Sequence, residues 1–215
     1  MYINFVKRFI DIIIGLLAFP FVLILIIIMG PIIYFNDRGP IFYNAERLGL
    51  NGKPFKMFKF RSMFVNAPDI RNEDGSTYNG DDDPRVTKVG RFMRKTSIDE
   101  IPQFLNVLLG DMSLIGPRPD PLDDMNIYTE HQKKKLIVRP GITGYNQAYY
   151  RNSVEQNEKF EHDVYYAENI SFLLDLKIFF KTITTVLSHD SVYNDASNLS
   201  EENKVKVQSM RNNND

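Results

Sequence analysis

Phe9-Ile-Asp-Ile-Ile-Ile-Gly-Leu-Leu-Ala-Phe-Pro-Phe-Val-Leu-Ile-Leu-Ile-Ile-Ile-Met-Gly-Pro-Ile-Ile-Tyr-Phe35 is almost wholly apolar, and Asp11 is its only charge. About 20 such residues cross a bilayer as a helix. Lys7 and Arg8 precede the run as they would in a signal peptide, but no small-x-small cleavage site follows it, so the segment reads as retained. Pro20 near its middle removes a backbone hydrogen bond and predicts a kink. Positive charge flanks both ends, with Lys7 and Arg8 before and Arg38, Arg47, Lys53, Lys56, Lys59 and Arg61 after, so the positive-inside tendency draws both toward the cytoplasm. A bent helix entering and leaving by one face satisfies both pulls, and a plain spanning helix with a tolerated proline is the alternative. Asp11 lies at helical spacing from Lys7 and Arg8 and is expected to pair with one of them.

Outward from this segment, the 215-residue chain is 43% hydrophobic, enough for one domain with a real core. Its net charge of -1 carries no global field for nucleic acid. The absence of cysteine excludes disulfides and thiolate metal sites, and His131, His162 and His189 show no ligand spacing.

Asn36-Asp-Arg-Gly-Pro40 reads as a turn, and Ile41-Phe-Tyr43 as a strand. Gly49 to Gly52 predicts another turn, leading into Lys53-Pro-Phe-Lys-Met-Phe-Lys-Phe-Arg-Ser-Met63, an amphipathic strand with a basic face. Asn66 to Pro84 is an acidic loop whose spacing does not match an EF-hand. Lys88, Arg91 and Lys95 recur at helical spacing, as a solvated face or one meeting anionic headgroups or a diphosphate, with Arg94 only loosely on that side. Ile101, Phe104, Leu105, Leu108 and Leu109 predict an amphipathic helix closed by Gly110. Ser171 to Ser188 repeats the pattern, its apolar side resting on the core or in the membrane interface. The polar residues 189–215 are expected to form a disordered tail.

Asp99-Glu100 stands before the central helix. Ser97-Ile-Asp-Glu100 spells a capping box, which would give these acids a purely structural task. Pro102 conflicts with that if it opens the helix, because the acids then fall just outside. Gly116-Pro-Arg-Pro119 presents Arg118 from a stiff turn, and Arg139-Pro-Gly-Ile-Thr-Gly144 presents a second arginine. Guanidinium groups suit phosphate. Acid pair, arginines and membrane segment together indicate an anionic substrate handled at a membrane.

Several ordered motifs make the chain resemble one family, the monotopic bacterial sugar phosphotransferases that initiate polysaccharide and glycoprotein assembly. They are Lys7-Arg8-x-x-Asp11, Lys59-Phe-Arg-Ser-Met63, Asp83-Pro-Arg-Val-Thr-Lys-Val-Gly-Arg91, the stretch Arg94 to Pro119, Arg139 to Gly144, and Asp163-Val-Tyr-Tyr166 with Asp175. The resemblance implies a mostly helical α/β catalytic domain over 37–188, behind a re-entrant membrane helix over 1–36, on the cytoplasmic face of the bacterial inner membrane. Longer members carry extra spanning helices, and this chain corresponds to the short form.

The family further implies that Asp99 attacks the β-phosphate of a UDP-sugar, releasing UMP, and that undecaprenyl phosphate then takes the phospho-sugar from the aspartyl intermediate. Glu100 would assist proton handling or, with Asp99, hold Mg²⁺. Arg118 would contact the diphosphate, with Arg94, Arg139, Lys59 and Arg61 as further substrate contacts. Partners implied are membrane lipids and other glycan-assembly enzymes. The chain departs from the family where many members place a serine before the bend proline and it has Phe19-Pro20, and in Tyr145-Asn-Gln-Ala-Tyr-Tyr-Arg151 after the second turn. The alternatives are a membrane scaffold in which Asp99-Glu100 only caps a helix, and a hydrolase releasing sugar phosphate to water.

Overall fold

The computed structural model describes residues 2–151, 153–188 and 199–214. Helix α1, Lys7–Asp37, continues through both Pro20 and Pro31 and ends where Arg38 turns left-handed. Its buried residues are Lys7, Asp11, Gly15, Val22, Met29, Gly30 and Ile33, spaced mostly by four and seven, so one stripe faces the rest of the protein along the whole helix. The other faces stay apolar and open, with Phe9, Leu17, Phe21, Ile27 and Phe35 all exposed. By length and composition α1 is the one helix among the described residues able to cross a membrane.

The polar residues opening α1 fasten it to three other elements. Lys7 pairs with Asp175 at 2.6 Å, on helix α6, Phe172–Ser188. Arg8 donates to the carbonyls of Val107 and Leu108 at 2.5 and 2.9 Å, the last turn of helix α3, Gln103–Leu109, where a cation suits the open carbonyls. Asp11 accepts from the Ser113 hydroxyl and the Leu114 N–H at 3.1 and 2.9 Å, at strand β3, Ser113–Ile115. The expected pairing of Asp11 with Lys7 or Arg8 is therefore replaced by long-range partners. Gly15 lets α1 approach α3 closely, since a Cβ there would stand 2.6 Å from Leu108 Cδ2.

At its other end α1 is held as firmly. Arg61 bonds Asp37 through two nitrogens at 2.5 and 2.6 Å and also donates to the Pro40 and Met63 carbonyls. Met29 and Ile33 pack with Phe60 and Met93.

The predicted Gly49–Gly52 turn joins an antiparallel hairpin of β1, Ala45–Leu48, and β2, Pro54–Met57. The expected strand over residues 41–43 reduces to one bridge between Phe42 and Phe60, and the long basic strand stops at Met57. Helix α2, Lys88–Thr96, is capped by the Thr87 hydroxyl, which accepts from the Gly90 N–H at 2.9 Å. Lys88, Arg91 and Lys95 face solvent, whereas Arg94 turns inward. Strand β3 pairs in parallel with β4, Gly141–Thr143. Short α4, Tyr145–Tyr149, and α5, Gln156–Asn169, follow. Asp163, Val164 and Tyr166 of α5 are buried, and Tyr166 packs with Ile115, Val138 and Ile178.

Residues 199–214 do not form the disordered tail expected of them. They include helix α7, Glu201–Asn214, whose Val207 joins Leu199 against Ile70 and Tyr78 of the acidic loop. Three apolar residues in a polar stretch, Leu199, Val207 and Met210, suffice because the loop supplies the other half of the cluster. The first part of that expected tail, 189–198, lies outside the described residues. Within the loop Asp83 bonds Arg85 and Asp74 accepts from Ser76, while Asp74 also accepts from the Gln156 N–H of α5 and Asp82 pairs with Arg211 of α7.

Candidate active site

The chain reverses at Ser97, left-handed at φ 56°, which ends α2 and opens a single 3-10 turn over Ile98–Glu100. Ser97 makes no side-chain cap, so the capping box is not formed. Pro102 stands at the boundary of α3, which leaves both acids ahead of the helix. The turn is sewn to the neighbouring segment by the Phe60 N–H, which donates to the Asp99 carbonyl at 2.9 Å. Asp99 is thus only 2% exposed without serving as a cap.

Lys59 lies between the two carboxylates, 3.0 Å from Asp99 Oδ2 and 2.9 Å from Glu100 Oε1. Burial works against its ammonium, yet Asp99 and Glu100 outweigh burial and hold its pKa above the ordinary lysine value. Burial likewise pushes Glu100 up, but Lys59, Arg118 and Arg94 together hold it below the usual carboxylate value. Glu100 is therefore a carboxylate at neutral pH, suited to charge stabilisation and ligand holding rather than to donating a proton. Arg94 approaches through its bonds to Ser62 Oγ at 3.0 Å and Asn79 Oδ1 at 3.1 Å.

Arg118 projects from its turn into solvent beside Glu100. The turn is placed by contact of two backbones: a Cβ on Gly116 would stand 2.3 Å from the Arg139 carbonyl oxygen, and one on Gly141 2.1 Å from the Gly116 nitrogen. Glycine is the residue that lets these two chains touch. Behind the turn Lys135 is fully buried between Asp120 and Asp163, at 2.5 Å from each. The Arg118 backbone N–H faces the Asp163 carboxylate, although Asp163 Oδ1 accepts no well-formed hydrogen bond.

Three of the five basic residues expected around the acids, Lys59, Arg94 and Arg118, do gather there. Arg61 is committed to Asp37 and two carbonyls at the end of α1. Arg139 donates to the Gly110 carbonyl at 2.8 Å, closing the far end of α3. Seven residues of helix separate it from the acids, about 10 Å at 1.5 Å per residue. Both arginines brace the fold. Sequence reasoning did not place Arg47 or Lys159 here, yet Arg118 is an electrostatic neighbour of each. Arg47 stood out only as membrane-flanking charge, and Lys159 carried no signal beyond lying one helical turn before Asp163.

No group of three or more metal-ligating side chains occurs among the described residues. Two carboxylates, with Glu100 part-exposed, fit a Mg²⁺ ion shared with substrate phosphates better than a self-contained protein site.

Comparisons with known proteins place the chain in a family. A family model described as bacterial sugar transferase matches residues 2–189. The uncharacterized sugar transferase EpsL of Bacillus subtilis is 41% identical over 186 residues, 86% of this chain and 89% of the relative. An Aeromonas hydrophila protein named UDP-N-acetylgalactosamine-undecaprenyl-phosphate N-acetylgalactosaminephosphotransferase is 40% identical over 190 residues, 86% of this chain and 44% of its own length. The undecaprenyl-phosphate galactose phosphotransferase of Salmonella typhimurium is 38% identical over 206 residues, 88% of this chain. The chain spans less than half the length of the latter two, 44% and 42%, and most of EpsL. With a family match over nearly all of the described catalytic body and such identity to a relative of similar length, the chain belongs to the bacterial sugar transferase family.

Proposed function

We propose that this protein transfers a sugar-1-phosphate from a UDP-sugar to a polyprenyl phosphate by way of a phospho-sugar carried on Asp99. The observation carrying this reading is the buried Asp99, free of any capping role and set 3.0 Å from Lys59. An Asp99 oxygen attacks the β-phosphorus, and the bond from that phosphorus to the oxygen bridging the α-phosphate breaks. UMP leaves with the bridging oxygen and its electron pair. A polyprenyl phosphate oxygen then attacks the same phosphorus and expels the Asp99 carboxylate, giving a polyprenyl diphosphate sugar. Lys59 orients the nucleophile and is placed to meet charge growing on the phosphoryl oxygens. Glu100 and Arg118 flank the diphosphate. Asp99 and Glu100 would hold Mg²⁺ jointly with the substrate, and the ion, when bound, offsets diphosphate charge.

The acceptor follows from the names of the Aeromonas and Salmonella relatives, which share undecaprenyl phosphate and differ in the sugar. An apolar α1 packed along the catalytic body supplies a route to such a lipid. Both ends of α1 are tied to that body, Lys7 to Asp175 and Asp37 to Arg61, which supports a monotopic arrangement on the cytoplasmic face, where UDP-sugars are found.

The test is UMP release by detergent-purified protein given Mg²⁺, undecaprenyl phosphate and a panel of UDP-sugars, beside Asp99→Asn. Turnover that requires both substrates and vanishes in the variant is expected. A phospho-sugar adduct trapped on another residue, or product formed without polyprenyl phosphate, would overturn the mechanism.

A further inference from the structure

Beyond the acid pair, three cations meet around one turn. Arg118 stands on the Gly116–Pro119 turn with its side chain in solvent. Arg47 of β1 lies opposite Pro121 in an antiparallel bridge, and the next N–H, that of Leu48, donates to the Asp120 carbonyl at 2.9 Å. Lys159 sits on α5 one helical turn before Asp163, whose carboxylate holds Lys135 under the same turn. Strand, turn and helix thus deliver three positive groups to one place from positions far apart in sequence.

The Asp120 carboxylate, whose charge acts on Arg47 and Lys159, is shared with two buried groups. Asp120 Oδ2 accepts from the Tyr128 hydroxyl at 2.6 Å and from Lys135 at 2.5 Å. Neither Arg118 nor Lys159 makes a side-chain hydrogen bond or ion pair among the described residues. Burial depresses the pKa of the Lys159 ammonium and Arg118 depresses it further, against the pull of Asp74 and Asp120. The Arg47 guanidinium is lowered in the same way, first by burial and then by Arg118, with Tyr43 and Asp120 opposing. A folded protein that leaves like charges facing each other stores an electrostatic cost, and an anionic ligand removes it.

The order of charges gives the ligand a direction. Lys59 contacts both acids, Arg118 borders Glu100, and Arg47 and Lys159 border Arg118. A diphosphate laid along this line with its reacting phosphorus at Asp99 would direct its departing half toward Arg118. We propose that Arg47 and Lys159, together with Arg118, form a subsite for the phosphate of the nucleoside monophosphate leaving group. The proposal rests on the transferase reading above and adds two residues to it, with a division of labour: Lys59 serves the phosphate that reacts, and the cation cluster serves the phosphate that departs.

The experiment measures UMP binding by calorimetry, and donor KM and kcat, on full-length detergent-purified protein carrying Lys159→Met or Arg47→Met. Lys159→Arg and Arg47→Lys are the charge-retaining controls, and a thermal melt confirms folding. Loss of one charged hydrogen-bonding partner should weaken UMP binding and raise donor KM by about 10-fold or more, with kcat changed far less. Charge-retaining variants should recover most of that loss. UMP affinity and donor KM unchanged in both methionine variants, with a wild type that turns over donor, would overturn the subsite and leave the transferase reading intact. A wild type without turnover on any donor would sink the transferase reading. The direct UMP titration then still decides the subsite, because binding lost in the methionine variants supports it and binding retained refutes it.

Discussion

Lys59 carries two interactions that fail together if it is removed. Without it Asp99 stays buried with no cation at 3.0 Å, and Glu100 loses the first of the charges that hold its pKa down. Lys59→Met should therefore cut turnover by about 100-fold or more, and the acid limb of kcat/KM should move to higher pH as the Glu100 carboxylate becomes easier to protonate. A pH profile of UMP release checks this; an acid limb left where the wild type has it would contradict the assigned role. Asp124 gives a second, independent pH effect. Burial pushes its carboxyl up to about 6, with the Asp120 charge adding and Arg71, Lys135 and Arg47 opposing. Its folded pKa lies above its unfolded one, so its contribution to stability is full below pH 4 and lost as pH rises through 6. Asp124→Asn never ionises, so it should gain on the wild type by roughly 1–3 kcal/mol between pH 4.5 and 7.5. Thermal melts at the two pH values measure the gap, and a gap that does not widen would count against it.

Elements show which features local pattern could reveal. The apolar run of α1, the α3 periodicity with its Gly110 stop, the hairpin turn at Gly49 and the apolar side of α6 all follow from spacing, because each is a property of neighbours in sequence. The acid pair was legible as a motif and Pro102 offered its release from capping, but the left-handed Ser97 that decides between the two was not legible. The partners of basic residues were not legible. Lys59 and Arg61 are two apart in one motif, yet one reaches the acids and the other reaches Asp37, 24 positions back. Asp11 finds Ser113, 102 residues away, so no periodicity foretells it. Helix α7 was missed because its apolar cluster is completed by Ile70 and Tyr78. At this scale Arg61→Met leaves Asp37 without its guanidinium, and breaking such a pair costs about 3–5 kcal/mol. The variant should melt markedly lower while its folded fraction keeps the wild-type donor KM. A raised KM at unchanged stability would return Arg61 to the substrate site.

In the whole molecule, α1 is a seam rather than a stalk. Its buried stripe runs from Lys7 to Ile33, and ion pairs close it at both ends. On the monotopic reading proposed above, a helix so attached would carry the catalytic body at the membrane surface and leave its remaining faces to lipid. The chain has no cysteine, so single cysteines at Ile3 and Asn36 report each end separately. Both should react with a membrane-impermeant thiol reagent from the cytoplasmic side alone, and labelling from opposite sides would show a spanning helix instead. The ion pair between Lys7 and Asp175 also bears on how the protein is made. The two are 168 positions apart, and at about 5–20 residues per second the ribosome needs roughly 10–30 s to deliver the second after the first. During that interval the nascent helix carries its ammonium unmatched, and the last long helix of the catalytic body must arrive before the first can settle.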